Sequence, residues 1–158
     1  MQVRRARASD VDAFAAQRNA LFRELGLLAS GTDAERFDSC TRSAFRDGID
    51  RGTCLAWLAV TPAGEAVGSS ALTLLERLPS PTNPSPVEGY LAHLFVLPEW
   101  RRSGVGSSLV RAAVDEARAR RLGRVRLHAT ETGRALYERL GFRPRTNDMD
   151  LPIGGEGR

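Results

Sequence analysis

Lysine is absent from this chain of 158 residues, whose 23 basic side chains are all arginine. With alanine and glycine plentiful, that uniformity reads as the codon bias of a GC-rich genome, so the formal net charge of +4 is partly background. Aromatic residues make up only 6% of the chain, and they are not interleaved with basic ones as stacking on single-stranded nucleic acid requires. Nucleic acid is therefore not an expected partner. Cysteine is nearly missing too: Cys40 and Cys54 fall in different predicted elements with no metal-like spacing. That excludes a disulfide scaffold and a zinc site, and no bound metal is expected. No apolar run approaches the roughly 20 residues that span a bilayer. The opening residues, with Arg4, Arg5 and Arg7, lack the apolar core of a secretory signal. A cytoplasmic location without membrane attachment is the expectation.

What is present is the makeup of a soluble globular protein, 42% hydrophobic and 27% charged, of a size for one domain over residues 1–158. The most informative stretch runs from Tyr90 to Ser108. Its apolar and aromatic run, Leu91 to Leu97, is stopped by Pro98, as a buried strand is where pairing must end. A strand is therefore placed to end near Val96. From Ser107 the apolar positions Leu109, Val110, Ala113, Val114 and Ala117 take helical spacing. Between strand and helix lie Arg101, Arg102, Ser103, Gly104, Val105 and Gly106.

The chemistry of that junction follows from the helix end. First-turn N–H groups have no intrahelical acceptor and sit at the positive end of the aligned peptide dipoles. Glycines there remove side chains that would hold a ligand away, so several N–H groups can converge on a phosphate. Arg101 and Arg102 add guanidinium forks suited to phosphate oxygens. Eight arginines fall between residues 101 and 126, against only Asp115 and Glu116, and such a basic surface fits a highly phosphorylated small ligand. A dinucleotide fingerprint beginning at Gly104 fails, because its third glycine is Leu109 and its glycines come several residues after the strand.

The R-x-x-G-x-G pattern of Arg101 to Gly106, preceded by V-x-P-E-W, instead resembles the pyrophosphate loop of the GNAT family of acyl-coenzyme A N-acyltransferases. The C-terminal block G-R-A-L-Y-E-R-L-G-F, Gly133 to Phe142, resembles the last helix of the same family. The rest of the chain supplies a compatible order of elements. Gln2 to Ala6 reads as a strand, and Ser9-Asp10 caps a helix carrying Val11, Phe14, Ala15, Leu21, Phe22 and Leu25, ended by Gly26. A second helix is predicted from Thr32 or Asp33 to about Arg46, with Phe37, Cys40, Thr41 and Ala44 facing inward. Thr53 to Val60 and Ala66 to about Leu75 form a hairpin across Thr61-Pro62-Ala63-Gly64. Four prolines between Leu78 and Pro86 make a connecting loop. A strand follows over Arg124 to Thr130, then a helix capped by Thr130-Glu131-Thr132 and stopped by Gly141. Phe142 begins a strand broken by Pro144, and Asp148 to Leu151 forms a last one.

The resemblance implies a mixed α/β sheet, the GNAT fold, whose two central parallel strands, ending near Val96 and Thr130, splay apart to admit acetyl-coenzyme A. It places the pantetheine against the backbone of Leu94, Phe95 and Val96, and the pyrophosphate against Arg101, Arg102, Ser103, Gly104, Val105, Gly106 and Ser107. Tyr137 matches the family's tyrosine, whose phenol can protonate the leaving thiolate or hydrogen-bond its sulfur. Thr130 stands where many members carry an asparagine, and its hydroxyl can cap the helix and bond the pantetheine.

No obvious carboxylate base precedes the loop. Glu88 is the nearest acid, able to act through a water, although a glutamate at a strand start more often sits solvated at an edge. His93 and His128 lie in the two strands of the opening, where structural roles are commoner than catalytic ones. The implied activity is acetyl transfer to the amine of a small molecule or peptide in a ternary complex. The alternative is a coenzyme A-sensing or partner-binding module with little catalysis. Acceptor identity and dimerisation through the last strands are left open.

Overall fold

The computed structural model describes residues 1–145, 149 and 151. The strand expected over Asp148 to Leu151 falls largely outside these residues. The chain separates into two compact units, Met1–His128 and Ala129–Arg158.

The N-terminal unit is a five-stranded sheet in the order β1-β2-β3-β4-β5, with β1 Gln2–Arg5, β2 Cys54–Val60, β3 Ala66–Glu76, β4 Val87–Val96 and β5 Val125–Arg126. Neighbours from β1 to β4 pair antiparallel, and β4 and β5 pair parallel. Helices α1 (Val11–Glu24) and α2 (Thr32–Asp50) lie in sequence between β1 and β2, and α3 (Val105–Ala119) lies between β4 and β5. Because side chains alternate across a strand, the sheet has two apolar faces. Val11 and Phe14 of α1 and Phe45 of α2 pack with Ala56, Leu58 and Ala71 on one face. On the other, Val105 and Leu109 of α3 crowd Gly68, where a Cβ would stand 2.9 Å from the Phe95 carbonyl oxygen. Only glycine allows α3 that close to β3.

Local signals placed these elements. Asp10 begins α1 through a short 3-10 turn, Ala8–Asp10: its carboxylate accepts the Arg7 N–H at 2.8 Å and the Arg4 guanidinium at 2.7 and 2.9 Å. Gly26, at φ +69, closes α1, with the Leu27 N–H reaching the Phe22 carbonyl, the bond pattern of a Schellman cap. The hairpin turn is held by Gly64 N–H on the Thr61 carbonyl.

Three expectations need correction. α2 continues past Arg46 to Asp50, and its buried stripe is Thr41, Phe45 and Gly48, leaving Cys40 and Ala44 exposed. Helical periodicity was satisfied by either stripe; Gly48 decides it, because a Cβ there would lie 2.6 Å from the Cys54 Cβ. β5 pairs only over Val125–Arg126, not to Thr130. Phe142 to Arg145 has no strand character.

Two tests follow. Gly48→Ala overpacks the α2–β2 contact and is expected to cost about 1–3 kcal/mol, read as a lowered urea midpoint. Asp10 is held below the ordinary carboxyl value, chiefly by its hydrogen bond from Arg4. Its stabilising contribution is therefore full above the unfolded carboxyl value of about 4 and fades as pH falls through the lower folded value. Asp10→Asn should lose stability at neutral pH, and the gap to wild type should close on acidification, as followed by thermal melts.

Candidate functional site

The site begins where β4 loses its parallel partner. The register pairs Gly89 with Val125 and Tyr90 with Arg126, then stops, while β4 continues six residues to Val96 beside β3 alone. β4 also carries a bulge: Ala71 opposes His93 and Leu72 opposes Leu91, so Ala92 is the extra residue. A bulge exchanges the directions of the backbone groups beyond it. Before it, the odd-numbered Gly89 donates toward β5, to the Arg124 carbonyl at 3.0 Å; after it, the odd-numbered Leu97 donates toward β3, to the Val67 carbonyl at 3.0 Å. By that alternation Phe95 turns its N–H and C=O to β3, and Leu94 and Val96 turn theirs to the open side.

The three residues expected along a pantetheine therefore divide. Phe95 belongs to the β3 ladder and buries its ring. The Val96 carbonyl already accepts Arg101 Nε at 2.9 Å. Leu94 and the Val96 N–H keep main-chain groups on the open side.

Beyond β4, a 3-10 turn over Pro98–Trp100 leads into the loop before α3. Arg102 has φ +60 and Gly104 φ +88. Residues of positive φ set between ordinary ones are the elements from which anion nests are built. The first helical bond is Ser108 N–H to the Gly104 carbonyl at 3.0 Å. Among the described residues, none of the six amides from Arg102 to Ser107 donates to a protein acceptor. Nothing stands within 4 Å of where a Gly104 Cβ would be, so that glycine is required by its backbone angle and not by crowding. Arg102, Ser103 and Gly104 are exposed, while the Val105 side chain is buried and anchors the helix start. Ser103 Oγ donates to the Trp100 carbonyl at 2.6 Å, which shapes the turn.

Arg101 differs from its expected part. Its guanidinium donates to both carboxylate oxygens of Glu24 at 2.8 Å and to the Val96 carbonyl, and it lies over the Phe95 ring. It braces the end of β4 to the end of α1. Glu88 also departs from a solvated edge position: it is 4% exposed, with Arg77 at 2.6 Å, Arg124 at 3.6 Å and Arg126 at 3.0 Å. Both oxygens are occupied by guanidiniums, so neither is presented to an incoming amine.

The histidines separate cleanly. His93 is buried, and burial pulls its pKa down to about 3. Ser69 Oγ donates to Gln17 Oε1 at 2.6 Å, so it must accept from His93 Nε2 at 2.9 Å, which makes His93 a neutral Nε2–H donor. Phe14 packs edge-on against its ring. It is structural, as its place inside a sheet implied. His128 is exposed, and its Nδ1 lies 3.2 Å from the Tyr90 hydroxyl.

In the C-terminal unit, α4 spans Glu131–Arg139. The Thr130 hydroxyl accepts the Gly133 N–H at 3.2 Å, the expected cap. Gly133 lets the Tyr137 ring lie close, since a Cβ there would stand 3.2 Å from Tyr137 Cε2. Tyr137 meets Phe142 edge-on, and burial raises its pKa. The phenol therefore stays protonated through neutral and mildly alkaline pH. Sequence reasoning missed the bulge at Ala92, which leaves no compositional mark, and the Tyr90–His128 pair, which depends on β5 register.

These features define a class: a mixed α/β fold whose parallel strands stop pairing beside a turn of unpartnered amides. The acetyltransferase (GNAT) family model matches residues 19–142, and the chain belongs to that family of N-acetyltransferases. A GCN5-related N-acetyltransferase from Ralstonia eutropha JMP134 is 29% identical, with a TM-score of 0.86 over 98% of this chain and 99% of that one. A predicted acetyltransferase from Clostridium acetobutylicum, solved with acetyl-CoA, shares the fold at 20% identity, with a TM-score of 0.86 over 96% and 95% of the two chains. A Trypanosoma brucei brucei glucosamine 6-phosphate N-acetyltransferase is 29% identical over 92 residues, which span 58% of this chain and 60% of that protein.

Gly104→Val places a β-branched residue at positive φ, a strain of about 1–2 kcal/mol, and re-aims the nest. Coenzyme A affinity should fall roughly tenfold or more, while the melting temperature without ligand moves by only a few degrees. Isothermal titration on the variant and wild type checks both.

Proposed function

We propose that the protein is an acetyl-coenzyme A-dependent N-acetyltransferase acting on a primary amine by direct transfer. The observation that carries this reading is the row of six unpartnered amides from Arg102 to Ser107. They lie at the glycine start of α3, just beyond a strand that, among the described residues, has no strand partner on its open side past Tyr90. Such a row fits the diphosphate of coenzyme A, which needs several donors and no side-chain bulk. The open-side main-chain groups of Leu94 and the Val96 N–H fit the amides of a pantetheine arm, added as a strand would be. Arg102 and Ser107 flank the cradle, and Thr130 serves chiefly as the α4 cap.

When bound, the thioester supplies an activated acetyl carbonyl. A neutral amine forms the N–C bond, the C–S bond breaks, the nitrogen gives up a proton and the thiolate takes one. Tyr137 is the proposed donor to the thiolate, because its phenol is held protonated. With Glu88 enclosed by arginines and His93 buried, the released proton goes to water or to exposed His128, whose imidazole is oriented by Tyr90. The oxygen that gains charge is met by an open-side N–H of β4, for which Leu94 is the candidate. Among the described residues no helix is long and apolar enough to cross a membrane, which supports action on a dissolved amine, and we place it in the cytoplasm.

With Glu88 enclosed by arginines, one second reading is favoured, a coenzyme A-sensing module with little turnover. Both readings expect acetyl-CoA to raise the melting temperature at concentrations well above its Kd; no shift at millimolar ligand would overturn both. Thiol release with a panel of amines separates them. Tyr137→Phe should lower kcat by about 10²-fold or more, as loss of a general acid does, with KM for acetyl-CoA unchanged within about twofold. Equal loss in both constants would assign Tyr137 to cofactor binding.

A further inference from the structure

We infer that the acceptor is an amine carrying its own anionic group, a carboxylate or a phosphate, and that Arg18 of α1 is the residue that holds it. The inference rests on the acetyltransferase reading above and names its substrate class.

Arg18 is a half-buried guanidinium with no carboxylate partner among the described residues. Its one hydrogen bond runs from Nη1 to the Ala92 carbonyl at 3.1 Å, and its plane lies over the Phe22 ring at 5.0 Å. One neutral acceptor for five N–H donors leaves the fork largely unsatisfied. Burying a cation in that condition is unfavourable unless an anion joins it. The cost shows in Arg18 itself, whose pKa is lowered chiefly by desolvation. Arg42 of α2, equally half-buried, pairs instead with Asp12 and Asp38.

The position is as telling as the missing partner. Ala92 is the bulge residue, two residues past the point where β5 leaves β4. Cys54, Thr73, Tyr90 and Arg126 form a row across β2, β3, β4 and β5 in that register. Arg18 lies within electrostatic reach of Tyr90 and Cys54 in this row. At its far end, three arginines, Arg77, Arg124 and Arg126, surround the single acid Glu88, leaving two positive charges in excess. Arg126 Nε is buried and without an acceptor. Unsatisfied guanidinium donors thus stand on both sides of the Tyr90–His128 pair, on the sheet face covered by α1 and α2. A carboxylate or phosphate matches an arginine fork in shape and charge. A polyamine, cationic at neutral pH, would meet repulsion there, and an acceptor without an anionic group would leave the fork unsatisfied.

The test uses matched amines differing in one group: an amino acid and its amide, and a phosphorylated amino alcohol and its dephosphorylated form. Wild type should favour the anionic member of at least one pair by roughly 10-fold or more in kcat/KM, and the favoured pair distinguishes carboxylate from phosphate. R18Q should lose that preference with the KM for acetyl-CoA unchanged, and R18K should recover part of it. Equal turnover of charged and neutral members, or an R18Q loss equal for both, overturns the inference and leaves Arg18 as a prop for the Ala92 carbonyl. If no anionic amine is acetylated although acetyl-CoA raises the melting temperature, the inference fails while the acetyl-CoA site stands. If acetyl-CoA itself fails to bind, the broader reading falls with it.

Discussion

The structure depends on one interruption: parallel pairing between β4 and β5 ends after Tyr90 and Arg126. A backbone N–H or C=O that loses its ladder partner must find another or face water or a ligand. β4 meets this demand in three ways. The Ala92 carbonyl takes Arg18, the Val96 carbonyl takes Arg101, and Leu94 is left open. The first two fixes come from side chains planted on different elements, so the unpaired stretch is held firmly although half its ladder is missing. The bulge sets which groups need fixing, because it exchanges the inward and outward sets midway along the strand.

Much of this was legible in the sequence where local chemistry decides. Pro98 marks the strand end, Gly104 and Gly106 mark the turn into α3, and the Thr130 hydroxyl caps α4, because each acts through its own backbone or that of close neighbours. What stayed hidden depends on contacts between distant segments. Arg101 carries the charge that a phosphate site calls for, yet Glu24, far away in sequence, claims its guanidinium. Glu88 at a strand start resembles an edge residue until Arg77, Arg124 and Arg126 close over it. The shortness of β5 could not be seen either, since its alternating pattern continues to Thr130 while its partner diverges.

The two histidines show how burial sorts identical side chains. His93 is locked as a neutral donor into a chain running through Ser69 and Gln17 to the Ala66 carbonyl, which ties α1 to β3 and β4 through three polar groups. That chain makes α1 a fixed wall of the sheet. His128, at the surface, has the Tyr90 hydroxyl 3.2 Å from its Nδ1.

The Arg101 brace has a consequence for how two ligands communicate. One end grips Glu24 in the final turn of α1, and the other grips β4 immediately before the amide nest. A ligand touching either the last turn of α1 or the nest therefore bears on one shared guanidinium. If that shared contact couples the two binding events, each changes the other's affinity by one common factor whichever ligand arrives first.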